Sequence, residues 1–468
     1  MPAVAVLAAL IAVQAAPPPA PASGPRLDEW LRRAGFQGSV LVAKGDTVLL
    51  RQGYGMSDRE AAVPYDADTV FSLGSITKQF TAAAILKLEM LGKLRVEDPI
   101  GRFLPGVPPD KQAITLHQLL THTSGLDSDF AGDFDPVGRD EYVARALASK
   151  LLSPPGSAHH YSNAGYSLLG AVVEIASGQP YERFLREQLF LPAGMPHTGY
   201  RLASWDEKRI AVGYRNGERW GRLTERPWAP DGPFWPLRAN GAIHTTLDDV
   251  LAWHRALLGE AVLSAAEKAK MFAKQVAEEP GGDSYYGYGW AVRDEPGAGR
   301  VVSHNGGNGV FYAEVVRLLD AGVLVVVSTN DSTIRGGRIA EGLARLALGG
   351  DAPVPPKRGA AGPLTPLGTD GRDAVVRGWL DAYNAEGVEP MRAFRREHAA
   401  PRPGMDEAER DRQLQRLRGD LGRLEPVGVV ARGERELAVR VRGNETGTFR
   451  FRFAADGKLE GVEIAIGE

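Results

Sequence analysis

The chain has 468 residues, 43% of them hydrophobic and 24% charged, which is enough apolar material for a large buried core and for two or three domains. A formal net charge of -3 and a pI near 6.4 exclude the basic field on which nucleic-acid binders depend. Zero cysteines exclude disulfides, thiolate nucleophiles and Cys-based zinc or iron–sulfur sites.

The first element is VAVLAALIAV, residues 4–13, an apolar run too short to span a bilayer. Val13-Gln14-Ala15 then supplies small residues before a Pro/Ala stretch. The pattern predicts a signal peptide over residues 1–16 and a periplasmic or secreted protein, although no Lys or Arg precedes the apolar run. Residues 38–55, GSVLVAKGDTVLLRQGYG, alternate around Gly45-Asp46 and predict a β-hairpin. A largely helical stretch follows, with helices expected at 76–91, 116–122, 140–151, 165–177 and 247–258. A second hairpin is expected at 309–330, turning at Asp320-Ala321-Gly322, with a helix at 338–349. These elements predict an α+β domain over residues 24–350, its antiparallel sheet built from both ends of the segment and a helical subdomain inserted between them.

Residues 351–370 are rich in Pro and Gly and lack periodicity, as a linker would. Beyond them, residues 371–468 alternate at periods of 3.6 and then 2, with Asp456-Gly457 as a hairpin turn. They predict a separate small α+β domain, similar in outline to the cone-shaped NTF2-like accessory domains. Its strands carry Arg440, Arg442, Arg450 and Arg452 on one face, read as a solvated surface.

Three short stretches carry chemistry. In FSLGSITKQFTAAAILKLEMLGKL, residues 71–94, a small-residue turn enters an apolar helix, and Lys78 follows Ser75 by three positions. That spacing puts the two side chains on one helical face, about 5–6 Å apart at Cβ. A lysine desolvated there loses its proton more readily and can accept the serine proton, while the helix N-terminus favours an oxyanion. S-x-x-K alone is weak evidence. Tyr161-Ser162-Asn163 precedes an apolar helix, and His304-Asn305-Gly306-Gly307 ends an apolar strand.

In order and spacing these three resemble the active-site motifs of the serine penicillin-recognising enzymes: class C β-lactamases, DD-carboxypeptidases and their esterase and D-aminopeptidase relatives. The resemblance covers roughly residues 30–350 and includes LLTHTSGL at 119–126 and YGYGW at 286–290. It implies Ser75 as the acylated nucleophile, Lys78 as its proton partner, and Tyr161 as a second acid or base whose phenol pKa neighbouring cations lower. Asn163, His304, Asn305, Gly306 and Gly307 would bind substrate, Asn163 also orienting Lys78. The N–H groups of Ser75 and Gly307 would form the oxyanion hole. Many β-lactamases carry lysine where this chain has His304, so small esters or D-amino-acid-containing amides and peptides are expected over β-lactams. The alternative is a non-catalytic or slowly acylating receptor for wall peptides or β-lactams. No cofactor is implied. The partner is a small-molecule or peptide substrate, with no nucleic acid and no membrane span in the mature chain.

His159 and His160 stand beside Tyr161 without an H-E-x-x-H motif or acidic cluster, and so predict no metal site. Trp220, Trp228, Phe234 and Trp235 could wall a substrate cleft or fill the core.

Overall fold

The computed structural model describes residues 24–466 apart from 204, 216, 335, 352–353, 355–363, 401–406, 434 and 444–445. The expected signal peptide and most of the expected linker lie outside the described residues. No helix among the described residues is long and apolar enough to cross a membrane.

The main sheet has eight antiparallel strands drawn from both ends of the first 350 residues. Thr47–Tyr54 forms one edge, followed across the sheet by Gly38–Lys44, Val323–Thr329, Tyr312–Leu318, Gly299–Gly307, Ala291–Glu295, Tyr285–Tyr286 and Val276–Ala277. Ser39 pairs with Ser328, so the first strand of the chain and the last of the sheet are hydrogen-bonded neighbours. The strand Val323–Thr329 is buried along its whole length because both faces are covered. Leu324 and Val326 face the helical subdomain, whereas Val323, Val325 and Val327 pack under the helices Gly24–Arg33 and Gly336–Ala347. A near-continuous apolar run, Val-Leu-Val-Val-Val, is what a strand covered on both faces requires.

The helix Thr77–Met90 runs through the middle of the helical subdomain, and every residue from Thr77 to Leu86 is buried. Small Ala82, Ala83 and Ala84 let the Asn163–Ser177 helix approach it, and Phe80 meets Phe190 edge-on at 5.1 Å. A helix apolar all round belongs in a core. Its polar exceptions, Lys78 among them, are therefore placed at a cost.

The C-terminal unit has its own core. Helices Gly371–Asn384, Glu389–His398 and Glu407–Leu421 accompany a four-stranded antiparallel sheet, Glu425–Arg432, Glu436–Arg442, Thr446–Phe453 and Leu459–Ile466, paired in chain order. Trp379 stacks on Tyr383 at 5.4 Å and meets Phe451 edge-on at 5.5 Å. The middle helix is absent from the sequence reading, because only Met391 and Phe394 are buried in a segment otherwise charged. Gly457 turns the last hairpin at φ +83°, where glycine is unstrained.

Candidate active site

Ser75 sits in a one-turn 3-10 segment, Gly74–Ile76, at the entrance to the Thr77–Met90 helix. Two glycines fix this turn against the strand Gly299–Gly307. A Cβ on Gly306 would lie 2.1 Å from the carbonyl oxygen of Leu73 and 2.4 Å from the nitrogen of Ser75. Gly74 adopts φ +50°, and a Cβ there would lie 2.7 Å from the nitrogen of Gly307. Any side chain at either position would separate the turn from the strand end, so the backbone nitrogens of Ser75 and Gly307 are held together only because neither residue has one.

Lys78 is 0% exposed. Its Nζ lies 3.1 Å from Ser75 Oγ, 2.7 Å from Asn163 Oδ1 and 3.0 Å from the carbonyl oxygen of Asn240. Burial lowers its pKa to about 7, against the opposing pull of Asp129 and Asp133. A neutral amine has two N–H donors and one lone pair. The two acceptors that can only accept, Asn163 Oδ1 and Asn240 O, use the donors and leave the lone pair for the hydroxyl of Ser75.

Asn163 is the first residue of the Asn163–Ser177 helix, whose N-cap Ser162 accepts from the N–H of Gly165 at 3.0 Å and donates to the Asp127 carbonyl at 2.7 Å. Its Nδ2 donates to Asp129 Oδ2 at 3.2 Å, which fixes the amide orientation and points Oδ1 at Lys78. Tyr161 remains 39% exposed as a residue, yet its hydroxyl is turned inward to a hydrogen bond with Ser75. The expectation of a lowered phenol pKa is overturned. Burial raises it, with help from the charges of Asp129 and Glu278. Of the cations that were to lower it, His304 is uncharged and Lys78 only part-charged near neutral pH, so the burial of the phenol prevails.

His304 is buried behind Tyr161, their ring centroids 6.4 Å apart. Its Nδ1 donates to the Asn305 carbonyl at 2.5 Å, and its Nε2 accepts from the Tyr286 hydroxyl at 2.9 Å. Burial and the proximity of Lys78 push its pKa down to about 3. Both nitrogens are thus occupied in a neutral ring. Asn305, next along the strand, points to the opposite side from His304 and is exposed.

The cleft over Ser75 is open to solvent, with about 510 Å³ of free space that includes part of that solvent. Ser75, Asn163, Gly306 and Gly307 line it together with Asn240, Asp133, Leu223 and Phe311. Of the four aromatic residues offered as walls, Trp220 stands one layer back, meeting Phe311 edge-on at 5.8 Å, and Trp235 is buried. Asn240, Tyr286 and Asp133 are missing from the sequence reading of the site. Asn240 acts through a carbonyl, which carries no residue-type signal; the one local cue is the strained turn around it, where Ala239 and Ala242 adopt φ +71° and +68°. Among the described residues no three His, Asp or Glu side chains gather as metal ligands.

A sheet with helices on both faces, with a serine 3.1 Å from a buried lysine at the sheet–helix junction, defines a β-lactamase/transpeptidase-like fold. The Beta-lactamase family model matches residues 28–349, and the chain belongs to that family. It is 33% identical over 351 residues to Esterase EstB of Burkholderia gladioli, covering 64% of this chain and 88% of the esterase. It is 32% identical over 305 residues to Penicillin-binding protein 4* of Bacillus subtilis and 32% identical over 267 residues to the Putative penicillin-binding protein PbpX of the same organism. These matches cover 61% and 57% of this chain, and span just under two thirds of the relatives, 66% and 65%. Among solved structures, the octameric penicillin-binding protein homologue from Pyrococcus abyssi superposes with a TM-score of 0.62 at 23% identity, covering 94% of this chain and 96% of that one. The fold likeness therefore extends into the C-terminal unit.

Proposed function

We propose that the chain is a serine hydrolase that works through an acyl-enzyme on Ser75. The observation that carries this reading is the environment of Lys78 Nζ, buried, bound by two obligate acceptors and within 3.1 Å of Ser75 Oγ. Neutral Lys78 takes the Oγ proton as Oγ attacks the substrate carbonyl. The oxyanion is held by the N–H groups of Ser75 and Gly307. Tyr161 keeps its proton at neutral pH, so it acts as an acid: it donates to the departing alkoxide or amine and recovers a proton from the Lys78 ammonium. Water then attacks the acyl-enzyme by the reverse sequence, releasing the carboxylic acid and free Ser75.

The substrate class follows from charge. His304 is neutral with both nitrogens engaged, and the charged side chain on the cleft wall is Asp133. Among the described residues that line the cleft there is no lysine or arginine, and Lys78 behind Ser75 is engaged by Asn163 and Asn240. Neutral short-chain esters and amides fit this lining better than carboxylate-bearing peptides or β-lactams.

The test is labelling with a fluorophosphonate, followed by turnover of p-nitrophenyl acetate and butyrate. Ser75 should carry the label, and each enzyme should release many equivalents of p-nitrophenol. The names of the two Bacillus relatives favour a second reading, a receptor that acylates without releasing the product. A stoichiometric burst with no steady state, across esters, D-amino-acid amides and nitrocefin, would establish the receptor instead.

A further inference from the structure

His122 is a tightly constrained residue beside the cleft with no role in the chemistry above. It follows the Leu116–Leu120 helix in a left-handed backbone conformation, φ +58°, which few residues other than glycine and asparagine adopt readily. The residue is 1% exposed. Its ring centroid lies 4.2 Å from that of Tyr161, 4.7 Å from that of Tyr286 and 5.0 Å from that of Tyr166. Two hydrogen bonds tie it to the segment carrying the second motif. The His122 carbonyl accepts from the N–H of His160 at 2.8 Å, and Nδ1 accepts from the N–H of Ser162 at 3.0 Å. The residues on either side of Tyr161 are therefore anchored to one residue, and Tyr161 is clamped between them against its ring.

We propose that His122, as the neutral Nε2–H tautomer, is the positioning residue that holds Tyr161 at Ser75 and the helix start at Asn163 against Lys78. The role rests on the hydrolase reading, and His122 acts through Tyr161 without touching the reacting atoms. Accepting at Nδ1 requires that nitrogen to be unprotonated, because a proton there would set N–H against N–H. The surroundings enforce this. The ring is buried, the titratable groups facing it include Lys78, His159 and His304, and burial with those neighbours holds its pKa well below the ordinary imidazole value. Among the described residues no carboxylate pairs with it to favour the imidazolium.

Two polar substitutions of similar size separate positioning from general support. Asparagine places its Oδ1 near the site of Nδ1 and tolerates the left-handed backbone, whereas glutamine places its amide near Nε2 and leaves the Ser162 N–H without an acceptor. With p-nitrophenyl butyrate, H122N should keep kcat within about threefold, and H122Q should lose about 10- to 100-fold in kcat with KM little changed, the scale expected for a catalytic group displaced by about 1 Å. Adding Y161F to H122Q should then cost only a few-fold more, because the contribution of Tyr161 is already lost. Equal activity of H122N and H122Q at matched melting temperature, or losses that multiply in the double variant, would overturn the proposal. Should H122Q fail to fold, a loss above about tenfold in folded H122N would overturn it equally. Wild-type turnover is measured first. If it is absent the hydrolase reading fails, and the rate of fluorophosphonate labelling at Ser75 becomes the readout for the same variants, with the same two outcomes.

Discussion

Lowering the pH should switch off acylation through one group, Lys78. With its pKa near 7, the amine is half neutral at pH 7, about one tenth neutral at pH 6 and about one hundredth at pH 5. The kcat/KM of p-nitrophenyl butyrate should therefore rise with a slope of one per pH unit up to about pH 7 and level off above it. The same titration leaves a mark on stability. Unfolded, Lys78 binds its proton up to the ordinary value of 10.5, whereas folded it releases the proton near 7. Between those limits the unfolded chain holds one proton more, so stability rises with pH by up to about 1.4 kcal/mol per unit from this group. Lys78→Met should abolish turnover and flatten that rise, read by urea denaturation at pH 7, 8 and 9. A kcat/KM that keeps climbing tenfold per unit beyond pH 9 would refute the reasoning and point to a tyrosinate base at Tyr161. An unchanged pH dependence of stability in Lys78→Met would refute the assignment of the neutral amine.

Tyr161→Phe should lower kcat by about 10²- to 10⁴-fold, the usual contribution of a general acid, with an unchanged melting temperature. Gly306→Ala, whose Cβ would meet Leu73 O at 2.1 Å, should lower kcat/KM by about 10²-fold or more through loss of an oxyanion donor, and this is read with the same ester. Tyr286→Phe removes the donor to His304 Nε2 and should cost about 1–3 kcal/mol of stability in denaturation while leaving the ratio of neutral to anionic ester turnover unchanged. A change in that ratio would show that His304 does meet substrate charge.

The fold was readable where the pattern was strict. The hairpin at 38–55 alternates about Gly45-Asp46, the one at 309–330 sets two apolar runs about a turn, and the Thr77–Met90 helix is apolar all round, so each announces its type. The helix Glu389–His398 was not readable, because two buried residues in ten make no period. At the site, Ser75 and Lys78 were visible because their chemistry is set by residue type and spacing on one helix. Asn240 was invisible since it contributes a carbonyl. The ionisation of Tyr161 was misread because it depends first on the burial of the phenol, which exists only in the folded chain, as does the burial that keeps His304 neutral.

The pairing of Ser39 with Ser328 sets a timetable for making this protein. Its central strands come from positions about 290 residues apart, and contacts of such high sequence separation form slowly because the loop must close before any reward is gained. A ribosome that has released Lys78 and the Asn163 helix has still not made the strand that carries Gly307 or the one that covers the first hairpin. Ser75 is thus synthesised early and its surroundings are completed late. A nascent fragment stopping short of residue 307 lacks the Gly307 amide, and one stopping short of 323 still lacks the strand that pairs with the first hairpin.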